Sequence, residues 1–265
     1  MKKQLVPILT LIICAVFSGT TVMAQGITVY KKDGGQIKIP YANLDSIVTY
    51  SQQEEIVQNE VIQGHECVDL GLSVKWATCN VGADSPEDYG DYFAWGETST
   101  KSEFNHDTYK WYEYDDKNYK SKYTKYCTNS EYGKYDGKDV LTSSDDAATV
   151  RWGSKWRMPT KEEFEELDEK CTFTLSSPNG VLGCKVTGPN GNSIFLPFTG
   201  YIDDITSNER GTDGCYWGKS LDLTNKYNST ARYFNVYITN DNRGNGYSSN
   251  EFRYYGLTVR PVTIH

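Results

Sequence analysis

Histidine is scarce: His65, His106 and His265 are the whole complement of a 265-residue chain, and they lie far apart. No C-x-x-C pair accompanies them, so the sequence offers no ligand set for structural zinc. A Ser–His or Cys–His nucleophile would likewise lack its base. The G-x-S-x-G elbow, the H-E-x-x-H helix, the phosphate loop and the dinucleotide fingerprint are all missing. Basic clusters are missing too. The chain carries a formal charge of -8, which argues against nucleic acid, whose binding rests on Lys and Arg neutralising phosphates. Apolar runs are short; a spanning helix needs ~20 such residues and none is present. The sequence therefore assigns no catalytic residue, no metal ligand and no cofactor, and it predicts no membrane span.

What is present begins with an export signal. Lys2 and Lys3 precede an apolar run from Leu5 to Phe17, broken only by Pro7 and Thr10. Val22-Met23-Ala24 supplies the small residues that a signal peptidase reads, so residues 1–24 are expected to be removed before Gln25. Lipidation at Cys14 is the competing reading, and Ile13 sits where lipid attachment wants a small residue. Either route leads to the periplasm, the cell surface or the extracellular medium. Without residues 1–24 the chain keeps Cys67, Cys79, Cys127, Cys171, Cys184 and Cys215. An even number in an exported protein permits three disulfides.

Residues 25–50 read as a small β unit. Ile27 and Val29 alternate with polar neighbours, Asp33-Gly34-Gly35 makes a turn, Ile37 and Ile39 resume the alternation, and Ile47 to Tyr50 offers a third strand. So short a piece cannot bury its own core. The polar stretch 51–64 reads as a linker, or as a short helix. The main domain is placed at 65–265, with all six tryptophans. Its predicted strands are Val68 to Ala77, Tyr92 to Trp95, Ser193 to Ile202, Cys215 to Leu221, Tyr233 to Thr239 and Phe252 to Thr263. Two helices are predicted from capping boxes, one opened by Ser143 or Ser144 with Asp146, the other by Thr160 with Glu163. In the second, Phe164, Leu167 and Cys171 share the inward face. Residues 107–140 lack either periodicity and read as a long, tyrosine-rich loop. Two short helices among many strands make the predicted class α+β.

Six strings come in an order that resembles a known family: VDLGLSVKWATCNVGA (Val68 to Ala83), YGDYFAWGET (Tyr89 to Thr98), KYCTNSEYG (Lys125 to Gly133), DDAATVRWGSKWRMPTKEEFEEL (Asp145 to Leu167), NSIFLPFTGY (Asn192 to Tyr201) and YGLTVRPV (Tyr255 to Val262). Together they resemble the Fibrobacter succinogenes major paralogous domain, found in exported proteins of the Bacteroidetes and their relatives. The resemblance spans nearly all of residues 67–262. It implies a C-type lectin-like fold, with two short helices against a curved antiparallel sheet and a long loop region carrying specificity. The calcium-holding strings of sugar-binding C-type lectins do not occur here, and neither does the paired-cysteine spacing of formylglycine-generating enzymes. Neither chemistry carries over.

Several side chains stand out as candidates. Cys79 and Cys171 are the pair to join first, a strand end to a helix face, which would contribute ~2–4 kcal/mol through unfolded-state entropy; two free thiols are the alternative. Arg157 and Arg260 sit in apolar strings beside proline, and a buried guanidinium wants a carboxylate, for which Glu97 is the most economical partner. Asp136, Asp139, Asp145 and Asp146 could gather around calcium, or could simply cap helices and turns. Trp111, Tyr112 and Tyr114 head the tyrosine-rich loop and could contact glycan or protein, or could fold back over the sheet. The functional expectation is a non-catalytic binding module for glycan or protein. A structural component assembling through its amino-terminal β unit is one alternative. A polysaccharide-active enzyme centred on Glu97 is another.

Overall fold

The computed structural model describes residues 26–30, 36–40, 59–115, 120–239, 241 and 243–264. The expected leader, the third amino-terminal strand and most of the expected linker lie outside them. The chain divides into two compact units, Met1–Val57 and Gln58–His265. In the first, β1 (Gly26–Tyr30) and β2 (Gln36–Pro40) form an antiparallel hairpin. Ile27 pairs with Ile39 and Val29 with Ile37, the register that the alternation predicts.

The second unit begins earlier than His65, because β3 (Glu60–Ile62) already belongs to it. It continues with β4 (His65–Val68), β5 (Lys75–Ala77), β6 (Tyr112–Asp115) and β7 (Lys120–Tyr123). Two helices follow, α1 (Ala147–Trp152) and α2 (Lys161–Lys170). Then come β8 (Thr172–Ser176), β9 (Gly183–Thr187), β10 (Ser193–Pro197), β11 (Tyr201–Asp203) and β12 (Thr206–Asn208). The chain ends with β13 (Asp213–Leu221), β14 (Thr230–Ile238), β15 (Gly244–Phe252) and β16 (Val262–Thr263).

These strands do not make one curved sheet carrying two helices. They form several small antiparallel sheets: β16-β5-β4-β3, β10-β9-β8, β13-β14-β15 and the two-stranded β6-β7 and β11-β12. Strand accounts for 38% and helix for 10%, so the predicted α+β, C-type lectin-like architecture is overturned in favour of a mainly antiparallel β molecule. The reason lies in segments whose β character is hidden in sequence. Gly244–Phe252 reads GNGYSSNEF, polar and glycine-rich, yet it pairs along its whole length with β14. The tyrosine-rich stretch expected as a loop contains the β6-β7 hairpin. Conversely, Tyr92 to Trp95 is no strand; Phe93 makes a single antiparallel bridge to Leu257.

Both helices occur where capping predicts them. Thr160 caps α2 with a complete box: its side chain accepts from the Glu163 N–H while the Glu163 carboxylate accepts from the Thr160 N–H. At α1 the cap is Asp146 itself, not a serine, and its side chain accepts from the Thr149 N–H at 3.0 Å.

The sheet β13-β14-β15 separates two cores. Side chains alternate across a strand, so residues of one parity share a face. The even-numbered Tyr216, Phe234 and Val236 pack with Phe164 and Leu167 of α2; the Phe164 and Phe234 rings stack at 5.2 Å. The odd-numbered Cys215, Trp217, Ala231 and Tyr233 enter the other core with Phe93, Trp95 and Trp156. Two buried indoles clamp the 93–95 segment to β13, Trp95 donating to the Gly218 carbonyl and Trp217 to that of Phe93, each at 2.8 Å.

Candidate functional site

The odd-numbered face of this sheet emerges from the core into a cavity of about 190 Å³. Strand register explains its composition. Cys215, Asn235 and Tyr247 lie directly opposite one another on β13, β14 and β15. Asp213 and Tyr233 follow two residues away on the same face, and Glu251 reaches in from the far end of β15. The β11-β12 hairpin closes one side with Tyr201 and Glu209, and Leu257 is the single aliphatic side chain among the nine that line the space. Glu209 holds a φ of 56°, a region that side-chain-bearing residues seldom occupy. The turn fixes it there, with the Glu209 carbonyl accepting from the N–H groups of Thr212 and Asp213 at 3.0 Å.

Electrostatics follow from crowding acids beside tyrosines. Burial raises the Glu209 carboxyl above the ordinary glutamate range, and the neighbouring Asp213 adds to it. Burial also raises Glu251, with Glu209 and Asp203 pushing the same way against a hydrogen bond from the Phe252 N–H at 2.8 Å. The Cys215 thiol is held well above its usual value by burial and by the three carboxylates around it. It stays protonated at neutral pH and is no nucleophile.

Asn235 is the most informative residue here. It is 6% exposed. Its amide nitrogen donates to Asp213 Oδ1 at 3.3 Å and to the Tyr247 hydroxyl at 3.2 Å. A carboxylate only accepts, so the nitrogen must face Asp213, and the carbonyl must face elsewhere. That carbonyl oxygen is buried and has no hydrogen-bond partner. Unmet acceptors are uncommon in folded interiors, and each calls for an explanation. The site thus presents acceptors and ring faces: it can hold a small ligand rich in N–H or O–H groups.

The residues singled out from sequence are placed differently. Cys79 and Cys171 are not joined; the six described cysteines, residues 67, 79, 127, 171, 184 and 215, are free thiols. The two belong to separate cores, Cys79 against that of Trp217 and Cys171 against that of Phe234, which a strand-to-helix staple did not anticipate. Glu97 pairs with neither arginine. It accepts from Lys101 Nζ at 3.0 Å and from the Lys110 N–H at 2.9 Å, fastening its own loop. Arg157 instead grips Glu163, six residues on, where helix α2 begins. Arg260 is 1% exposed and, among the described residues, pairs with no carboxylate. Its guanidinium donates to Asn80 Oδ1 at 2.7 Å and to the carbonyls of Ala77 and Thr78, so backbone dipoles replace the expected counter-charge.

Of the loop aromatics, Trp111 donates its indole N–H to the Gly96 carbonyl at 3.0 Å and Tyr112 packs on His106 and Tyr123. Tyr114 alone faces solvent, at 56% exposure. The four aspartates do not converge. Asp136 accepts from the N–H groups of Tyr126 and Cys127, Asp145 pairs with Lys125 and Tyr126, and Asp146 caps α1. Sequence reasoning missed the cavity residues because their common face exists only once β13, β14 and β15 are in register. The odd-position signal in DGCYW and RYFNVY is legible afterwards; the polarity of GNGYSSNEF conceals its partner.

No family model, curated protein or solved structure matches the chain. Among the described residues, no helix is long and apolar enough to cross a membrane.

Proposed function

We propose that this is an exported, non-catalytic recognition module that takes one unit of a glycan in the cavity on β13-β14-β15. The observation carrying the reading is a polar cavity in which three carboxylates without ion-pair partners and the Asn235 amide stand beside tyrosine rings. Sugar hydroxyls are the donors such a set lacks, and ring faces of tyrosine give contact area at low entropic cost. The volume, that of about six waters at ~30 Å³ each, suits a single ring. Export rests on residues 1–24, and membership of the major paralogous domain family on the six ordered strings. A protonated Cys215 and the absence of histidine from the lining support binding over turnover. Glu97 accepts from Lys101 and the Lys110 N–H, which supports a structural role for it over the enzymatic one.

A glycan array probed with the full chain and with Asn235→Leu tests the proposal. Parent binding to a glycan set, reduced at least tenfold in the variant with its fold verified by circular dichroism, is the expected result. Equal binding by both proteins would move the site elsewhere. The β1-β2 hairpin favours a second reading, since among the described residues no third strand joins it and its edges are open to strand addition. Removing residues 25–50 should then abolish self-association or partner capture, and unchanged association rejects it.

A further inference from the structure

Three carboxylates enter the cavity, Glu209, Asp213 and Glu251, and among the described residues none of them forms an ion pair with lysine, arginine or histidine. Arg210, adjacent in sequence to Glu209, is committed elsewhere: its guanidinium lies over the rings of Tyr89 and Tyr92 and donates to the Tyr92 hydroxyl at 3.2 Å. Only neutral donors compensate, the Asn235 amide for Asp213 and the Phe252 N–H for Glu251. Acids drawn together in a semi-enclosed space without a counter-charge repel one another, and a cationic guest removes that cost. The described residues hold no group of three or more His, Cys, Asp or Glu side chains placed to bind a metal ion. The missing charge is therefore one that hydrogen-bonds to dispersed acceptors instead of collecting them in a coordination shell.

We infer that the sugar unit bound here is a free amino sugar, its ammonium group drawn into the cavity by the unpaired carboxylates of Glu209, Asp213 and Glu251. This rests on the glycan reading above and sharpens it. An ammonium carries three N–H donors and no acceptor, which matches a lining that is rich in acceptors. Tyrosine faces add cation–π attraction, and the Tyr201 ring is already oriented by stacking on Tyr255 at 5.3 Å. A lysine side chain brings the same charge, but its four-carbon stem wants apolar walls, and Leu257 is the one aliphatic group present.

The test compares three tetrasaccharides on the full chain by titration calorimetry at low salt: β-1,4-linked glucosamine, its N-acetylated counterpart and the glucose equivalent. The amino form is expected to bind at least tenfold tighter than the other two. Its advantage should shrink in high salt and in Glu209→Gln and Glu251→Gln, two near-isosteric variants whose folding is checked by circular dichroism. Equal binding of all three sugars overturns the charge assignment and leaves the glycan reading standing. Binding of Nα-acetyl-lysine amide in place of any sugar overturns both. So does a folded chain that binds none of the four.

Discussion

Glu251 shows what crowding buried acids costs at the scale of one residue. Its carboxyl is raised by burial and by neighbouring acids, so the folded state keeps a proton at pH values where the unfolded chain has released it. Unfolding then proceeds with proton loss in that window, and stability declines as pH rises through it. Glu251→Gln should accordingly raise Tm at pH 7, with the gain disappearing below the ordinary glutamate range. Thermal melts of both proteins from pH 3.5 to 8 check this; a variant less stable at pH 7 would mean that the carboxylate is favourably compensated. Gain of stability with loss of ligand is the trade expected of a functional acid.

Among the elements, α2 illustrates a boundary set entirely by local chemistry. Thr160 and Glu163 satisfy each other's backbone N–H groups, and Arg157 anchors the same glutamate from the preceding strand-like segment. Thr160→Ala should cost about 1 kcal/mol, as cap removals do, measured by urea unfolding with an unchanged m-value. A neutral result would place the helix under the control of Phe164 and Leu167 alone. The helix start was legible because both partners lie within four residues. The start of α1 was less so: Ser143 and Ser144 were the expected caps, and Asp146 prevails because it also accepts from the Met158 N–H at 3.0 Å, twelve residues on.

For the whole molecule, Arg253 is the tie between distant segments. Fully buried, it donates to the Tyr109 hydroxyl and to the carbonyls of Lys125, Tyr126 and Asn228, and it lies over the rings of Trp95 and Tyr123. It thereby joins the 107–140 stretch to the end of β15. Arg253→Leu leaves three backbone carbonyls without a donor at ~1–3 kcal/mol each, so a loss of at least ~3 kcal/mol is expected by chemical denaturation. A loss below ~1 kcal/mol would show that those segments hold without it. Nothing local in EFRYY announces this role, since every partner is 25 or more residues away.

The sequence by itself determined the β1-β2 hairpin and the positions of the two helices. Each of these rests on alternation or capping, which act over a few residues. Tertiary structure alone decided the sheet class, the partners of Glu97, Arg157 and Arg260, the free state of Cys79 and Cys171, and the cavity itself. The sheet class, the Arg260 partners and the cavity depend on pairing between segments far apart in the chain, whereas Lys101 and Glu163 lie within six residues of Glu97 and Arg157 but are marked by neither alternation nor a charge pattern. Asp213, Asn235, Tyr247 and Glu251 become one face only when three strands align, because parity of position has no inside or outside until a neighbouring layer supplies it.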